Sequence, residues 1–335
     1  MSTKISRSTF LFDNNPCIFE SASIVSKKEG EGPLASYFDL INDDATFGEK
    51  TWEKAESRMQ KDAISKALSK AKLSSENIDI LFAGDLLNQC VGSSFGIREL
   101  QIPFCGLYSA CSTMALSLLL SAIFVDNDLC ENAAAMTSSH FCSAEKQFRF
   151  PLEYGCQRTP TSQWTVTGSG CAIVSKKNKP PFIKGGCIGK IQDLAIKDIN
   201  NMGAAMAPAA ADTIKTYLND TKTSPNDYDL ILTGDLGAVG SQLLIDLLIR
   251  EKINISKQHN DCGKLIYDIK TQDVHAGGSG CGCSASVLCS YIVKEIRNKT
   301  FKNVLFIATG ALMSPTTVQQ GETIPSIAHL VHLQG

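Results

Sequence analysis

The chain has few of the features that would settle a function at once. Its 13 cysteines form no Cys-x-x-Cys pair, and the two closest are Cys281 and Cys283. Zinc-type ligand spacing is therefore missing, and no metal is expected. There is no Gly-x-x-x-x-Gly-Lys-Ser/Thr loop, and the run GGSGCG from Gly277 is too weak to indicate a nucleotide. Neither charge sign is in excess: 32 basic residues face 34 acidic ones, a net charge of −2, which leaves no electrostatic footprint for nucleic acid. The opening stretch MSTKISRSTFLFDNNP has no apolar core long enough for a signal peptide. Many cysteines, such as Cys105, Cys171 and Cys289, sit in apolar surroundings, which suits a reducing compartment. A cytoplasmic protein is expected, either soluble or peripheral on the inner face of a membrane.

One long uncharged run is present, from Leu100 to Val125. Its length suggests a membrane span, but Pro103, Gly106 and the SACST cluster interrupt it. Its helical part is about half of what a span needs, and no basic cluster flanks it to set an orientation. The run reads as core. An apolar strand from Ile102 leads into Ser109-Ala110, then Cys111-Ser112-Thr113, then a helix from Met114 to Val125 that is apolar all round and so buried. Cys111 is thereby placed at a strand-to-helix elbow, facing a helix N-terminus. Such an end carries orphan N–H groups and about half a positive charge, which hold an anion or favour a thiolate. Ser112 or Thr113 can accept from the first-turn N–H groups. The alternative for Cys111 is a buried structural cysteine.

With 335 residues, 43% hydrophobic and 20% charged, the chain is long enough for two domains or two fused halves. Residues 1–50 read as mixed. An amphipathic helix is expected from Trp52 to Lys72, then the buried strand Ile78–Ala83, a helix near Ser93–Leu100, the elbow, and a buried strand at Ala133–Thr137. A loop is expected from Phe141 to Gln163 and a strand with a glycine bend from Trp164. The stretch KKNKPP, Lys176 to Pro181, divides the halves, giving domains 1–180 and 181–335. The second half echoes the first. DLILTGDL from Asp229 matches DILFAGDL from Asp79, each after a helix, and SGCGCS from Ser279 precedes an apolar helix as SACST does. Val304–Gly310 echoes the strand at Ala133. A helix at Ala209–Leu218 is expected to open at Pro208. Duplication of an α/β unit with parallel strands accounts for the pattern.

Several side chains are candidates for chemistry. His140 reads either as a donor near Cys111 or as a loop histidine. Arg149, held between Phe148 and Phe150, is the best anion partner because its fork suits a carboxylate. The alternative is a surface arginine paired with Glu145 and Glu153. Asp85 and Asp235 follow strand-end glycines and read as turn or cap residues. His259 and His275 lie in polar loops, and His329 lies near the C-terminus. Gly277, Gly278 and Gly280 permit close backbone approach.

A duplicated α/β half with an elbow reading ACS resembles the thiolase superfamily. EGPL, AGDLLNQ, ACST, TSSH, QFR-P-EYG (Gln147 to Gly155), TVTGSG, MAPAAADTIK, YDLILTGDL, KQHNDCG, AGGSGC and ATGALMSPT together resemble the stage V sporulation protein AD family. The resemblance implies a thiolase-like αβαβα fold of two pseudo-symmetric halves and an expected homodimer. It also implies binding of dipicolinic acid (pyridine-2,6-dicarboxylate), free or as its calcium chelate, during uptake into the developing spore. Membrane proteins of the same sporulation operon are the implied partners, with peripheral placement on the forespore or spore inner membrane. Condensing enzymes of the superfamily pair the elbow Cys with a His and an Asn or second His. At those positions this chain has Gly234-Asp235 and Gly277-Gly278-Ser279-Gly280, so both partners are missing. The expectation is a binding protein without cofactor or catalysis. Its ligand would be held by Cys111, Ser112, Thr113, His140, Arg149, His259 and Gly278. The competing expectation is an acyltransferase or condensing enzyme that uses Cys111.

Overall fold

The two echoing segments, 79–86 and 229–236, carry equivalent strands of two half-sheets. In the computed structural model, which describes residues 2–148 and 158–335, ten strands make the framework. They are β1 (Cys17–Ser26), β2 (Ile80–Gly84), β3 (Phe104–Gly106), β4 (Asn132–Ser139), β5 (Gly168–Ser175), β6 (Phe182–Cys187), β7 (Leu230–Thr233), β8 (His259–Asp261), β9 (Asn303–Ala311) and β10 (Ser326–Gln334). From the seam outward the first half runs β1-β5-β4-β2-β3 and the second β6-β10-β9-β7-β8. Strand for strand the order is the same, which is the duplication in topological form. In both halves the echoing strand pairs parallel with its inner neighbour, β2 with β4 and β7 with β9. A single Cys17–Phe182 pairing joins the half-sheets. Two pieces cross the 180/181 division: Thr9–Leu11 pairs with β6, and Trp164–Thr165 pairs with Gly278–Ser279.

Side-chain alternation along the strands sets the layers. Val304, Phe306 and Ala308 of β9 point to the central layer, while Leu305 and Ile307 point outward. The central layer holds α3 (Thr113–Asp126) and α7 (Cys281–Val287), with Met114, Leu118 and Leu119 fully buried against both inner faces. Each such leucine contributes roughly 2 kcal/mol by leaving water. Outside the first half-sheet lies α1 (Trp52–Ala71), whose Met59, Ile64 and Leu68 pack on Leu81, Met136 and Ile173. Thr51 caps it by accepting from the Lys54 N–H. Outside the second lie α5 (Met202–Thr221) and α6 (Gly237–Arg250). The order of layers is thus αβαβα. No helix of the described residues is long and apolar enough to cross a membrane.

Four local expectations are corrected. The mixed stretch 1–50 contains β1, a ten-residue central strand whose Glu20, Ser21 and Ser23 hid it by polarity. Ser21 Oγ donates to the Cys289 carbonyl at 2.7 Å, and Glu20 pairs with Lys179 and Arg297, so the strand satisfies its polar groups while buried. Pro208 lies inside α5, not at its start, because Asn201 caps the helix about two turns earlier. The run from Ile102 becomes only β3, an edge strand with Phe104 exposed. The expected loop after Phe141 begins as helix α4 (Phe141–Phe148).

Candidate functional site

Cys111 sits in the tight turn Ala110–Ser112 that leads into α3. Ala110 has φ +46°, the left-handed region that costs a non-glycine residue about 1 kcal/mol or more. What holds this strain is a set of bonds behind the elbow. Ser109 Oγ meets Ser112 Oγ at 2.6 Å and His329 Nε2 at 2.9 Å. His329 Nδ1 accepts from the Gly189 N–H at 3.2 Å, which leaves Nε2 as the proton-bearing nitrogen. Burial drives the His329 pKa down to about 4, so the ring is neutral there. Gly310 of β9 lies against the same turn. A Cβ at Gly310 would stand 2.5 Å from the Ser109 carbonyl oxygen, so only glycine lets the second half's strand approach this closely.

The thiol of Cys111 lies beside the carboxylate of Asp235, which follows β7 in the other half and acts on the thiol by its negative charge. Asp235 is fully buried and accepts from Thr309 Oγ1 at 2.8 Å, the Gly280 N–H at 2.9 Å and Ser279 Oγ at 3.3 Å. Gly280 reaches it with φ +98°. Burial pushes the Asp235 carboxyl up to about 6, partly offset by these donors. Burial, then the negative charge of Asp235, pushes the Cys111 thiol well above its ordinary value. The helix N-terminus was expected to favour a thiolate; desolvation and the carboxylate outweigh it.

Above Cys111 opens a cavity with an empty volume of about 650 Å³, part of it open to solvent. Leu86, Tyr108 and Phe148 from the first half and Ile199, Met202, Met206 and Met313 from the second make it mainly apolar. Its neutral donors are Tyr108, Thr165 and Ser279, with Glu145 also at the wall. Burial first, then nearby Cys111, raises the Tyr108 phenol to about 12, so it keeps its proton.

The expected ligand set separates. Cys111 lines the cavity. Ser112 and Thr113 do not serve as expected: the Ser112 N–H goes to the Ser109 carbonyl at 3.0 Å and the Thr113 N–H to Ala110. Their hydroxyls donate to the same two carbonyls, at 2.6 and 2.7 Å. A tight turn uses its donors internally, so these groups are not open to an anion. His140 is buried, with Nε2 donating to the Ala45 carbonyl at 2.8 Å and Nδ1 accepting from Cys142 N–H at 3.1 Å. Both ring nitrogens are used, and His140 is the loop histidine of the two readings. His259 lies on edge strand β8, its Nδ1 at 3.2 Å from the Ile231 carbonyl, and burial lowers it to about 4. It does not line the cavity. Gly278 gives its carbonyl to Gln163 Nε2 at 2.7 Å and faces Ile266; the neighbouring Ser279 and Gly280 reach the site instead. Arg149 lies outside the described residues.

The residue missed is Asp235, read as a turn residue. The signal that could have found it was the duplication. Its counterpart Asp85 does cap its own half, accepting from the Leu87 N–H at 2.9 Å and the Ser93 N–H at 2.7 Å. In the second half that capping falls to Asp261, which accepts from Leu236 and Gly237, leaving Asp235 free to face the elbow.

Among solved structures, the cerulenin-bound OleA of Xanthomonas campestris is 13% identical, with a TM-score of 0.62 over 97% of this chain and 98% of that one. The 3-oxoacyl-(acyl-carrier-protein) synthase III of Aquifex aeolicus is 12% identical, with a TM-score of 0.55 over 95% and 99%. At such identities the likeness shows a fold, and the fold is thiolase-like. The family model described as stage V sporulation protein AD matches residues 6–334. Stage V sporulation protein AD of Bacillus subtilis (strain 168) is 45% identical over 323 residues, 96% of this chain and 95% of that protein. A thiolase-like chain whose elbow cysteine meets an aspartate thus belongs to the stage V sporulation protein AD family.

Proposed function

We propose that this sporulation protein is a non-catalytic receptor for dipicolinate, free or as its calcium chelate, and that it serves the ligand's uptake into the spore. The observation that carries the non-catalytic part is the Cys111 thiol placed beside the buried carboxylate of Asp235, which Thr309, Ser279 and Gly280 hold there. A condensing cysteine needs a cation or an imidazole that stabilises its thiolate, and here the charge of a buried carboxylate disfavours that form. The ligand class comes from family membership and fits the cavity's apolar wall, which suits a flat ring, and its hydroxyl donors, which suit oxygen atoms. A free dianion needs charged partners as well. In this reading Arg149 supplies one, and chelated calcium removes the remaining demand. Peripheral contact with membrane proteins of the spore belongs to the same proposal, as does pairing into a homodimer.

Calorimetric titration with dipicolinate, with and without calcium, tests the reading. The wild type is expected to bind one ligand, and Arg149→Ala to bind about ten- to a hundredfold more weakly, the loss of a charge-assisted pair. Equal binding by both proteins removes Arg149 from the site, and no binding by either removes the receptor. The second reading, acyl transfer through Cys111, is favoured by the apolar wall above the thiol. It requires an acyl-Cys111 adduct in the intact-protein mass after incubation with an acyl thioester.

A further inference from the structure

Behind the first-half wall of the cavity lies a buried polar network that the site does not use. Glu56 and Gln60 come from α1, Ser138 from β4 and Ser143 from α4. Asp85 follows β2, and Ser93 stands in α2 (Val91–Ile97). All six are buried. Glu56 Oε1 accepts from Ser138 Oγ at 2.9 Å, and Oε2 lies 2.6 Å from Ser143 Oγ, which donates to Oε2 when Glu56 is ionised and to the His140 carbonyl, at 3.1 Å, when a protonated Oε2 donates to it. Gln60 Nε2 donates to Ser138 Oγ at 2.6 Å and Ser93 Oγ at 3.0 Å, and Ser93 Oγ donates to Asp85 Oδ2 at 2.6 Å. One chain of bonds thus joins two carboxylates through three side chains.

Each end of that chain holds a piece of the cavity. Ser143 precedes Ala144, and Asp85 precedes Leu86, both cavity-lining. Gln147 of α4 ties these two walls together, donating to the Leu86 carbonyl at 2.8 Å. The Ser138 carbonyl accepts from the Cys281 thiol at 2.9 Å, and Cys281 packs with Cys111, Leu86 and Phe148.

We propose that Glu56 is a proton-binding site coupled to the cavity: an anion in the cavity strengthens the hold of Glu56 on its proton, and loss of that proton weakens the hold on the anion. This rests on the reading that the cavity takes an anion. Charge alone fixes the sign, because a second negative group behind the wall opposes a dianion in front of it. The groups facing Glu56 are Asp85, the Cys281 thiol, and Glu53 one turn earlier, itself paired with Lys146 at 2.6 Å. The nearby His140 is kept neutral by burial. Burial, then the charge of Asp85, raises the Glu56 carboxyl to about 8. The proton is therefore held at neutral pH and lost just above it.

The test is calorimetric titration of the full chain with sodium dipicolinate at pH 7, 8 and 9, in buffers of differing ionisation enthalpy. The wild type is expected to bind roughly tenfold more weakly at pH 9 than at pH 7 and to take up a proton on binding near pH 8. Glu56→Gln, which cannot ionise, is expected to bind equally at all three and to take up none. Identical pH dependence in the two proteins overturns the proposal. Absence of binding by either at any pH overturns the anion reading and the coupling together. Asp85→Asn supplies a second arm: with one repelling charge gone, the pH at which affinity falls should move down, and an unmoved midpoint counts against the coupling. Denaturant unfolding without ligand separates the cases. The folded state keeps a proton that the unfolded state loses near the ordinary carboxylate value, so wild-type stability should fall as pH rises from about 4.5 to 8. Glu56→Gln should flatten that slope; an unchanged slope means that Glu56 does not hold the proton.

Discussion

Asp235→Asn is expected to raise the rate at which iodoacetamide labels Cys111 at pH 7 by about ten- to a hundredfold. In the wild type, ionising the thiol would put a second negative charge beside a buried carboxylate. The charge of the carboxylate therefore favours the protonated, unreactive form of the thiol. Asparagine has nearly the same shape and no charge. Once the charge is gone, the N-terminus of α3 is left to act on the thiol against burial. Each unit by which the thiol pKa falls gives a tenfold larger thiolate fraction at neutral pH. The lower basicity of the thiolate gives back less than half of that in intrinsic nucleophilicity. Peptide-resolved mass spectrometry reads the labelling site by site. Cys105, Cys130 and Cys142, which are half-buried, serve as references, because unchanged rates there show that the fold is intact. If Cys111 labels equally fast with and without the carboxylate, burial alone suppresses the thiol, and the geometry no longer argues against acyl chemistry.

The same pair shows what could be read in the sequence. The strand pattern was legible because apolar runs and Gly-Asp-Leu endings recur after 150 residues, and recurrence is visible without structure. The elbow was legible because SACST interrupts an uncharged run and a buried helix follows it. β1 was not legible: its Glu20, Ser21 and Ser23 read as surface, and only the partners Lys179, Arg297 and the Cys289 carbonyl make them core residues. Those partners lie more than 150 residues away, and no local pattern encodes them. The site failed in the same way. His140 and His259 are candidates by residue type and loop position, and neither reveals that the Ala45 and Ile231 carbonyls already hold their rings. The N–H groups of Ser112 and Thr113 were expected to be open because an α-helix start leaves its first donors free. A tighter first turn closes them. Asp235 reads as a turn residue, as Asp85 does, because each follows a strand-end glycine; the two halves differ at that point, where Asp261 takes the cap.

Gly310→Ala is expected to destabilise the protein by about 2–3 kcal/mol, a fall in Tm of about 5 °C, and to cost more than tenfold in dipicolinate affinity. The added methyl would stand 2.5 Å from the Ser109 carbonyl oxygen, 3.1 Å from the Ser112 nitrogen and 3.2 Å from the Ala110 Cβ. None of these is the end of a flexible side chain, so backbone must move. On one side β9 is fixed by its full register with β10, from Asn303 opposite Gln334 to Ala311 opposite Ser326. On the other, the elbow is pinned by His329 and by the Ser112 and Thr113 hydroxyls. Ala110 already has an unfavourable backbone angle and offers no slack. The turn that carries Cys111 is the part least able to resist, and its displacement separates the thiol from Asp235 and reshapes the floor of the cavity. Gly106→Ala on edge strand β3 is the matched control, since its methyl meets only the Phe104 ring, at 3.3 Å. Should Gly310→Ala melt and bind as the control does, the contact between the second half's strand and the first half's elbow would not be what positions the site.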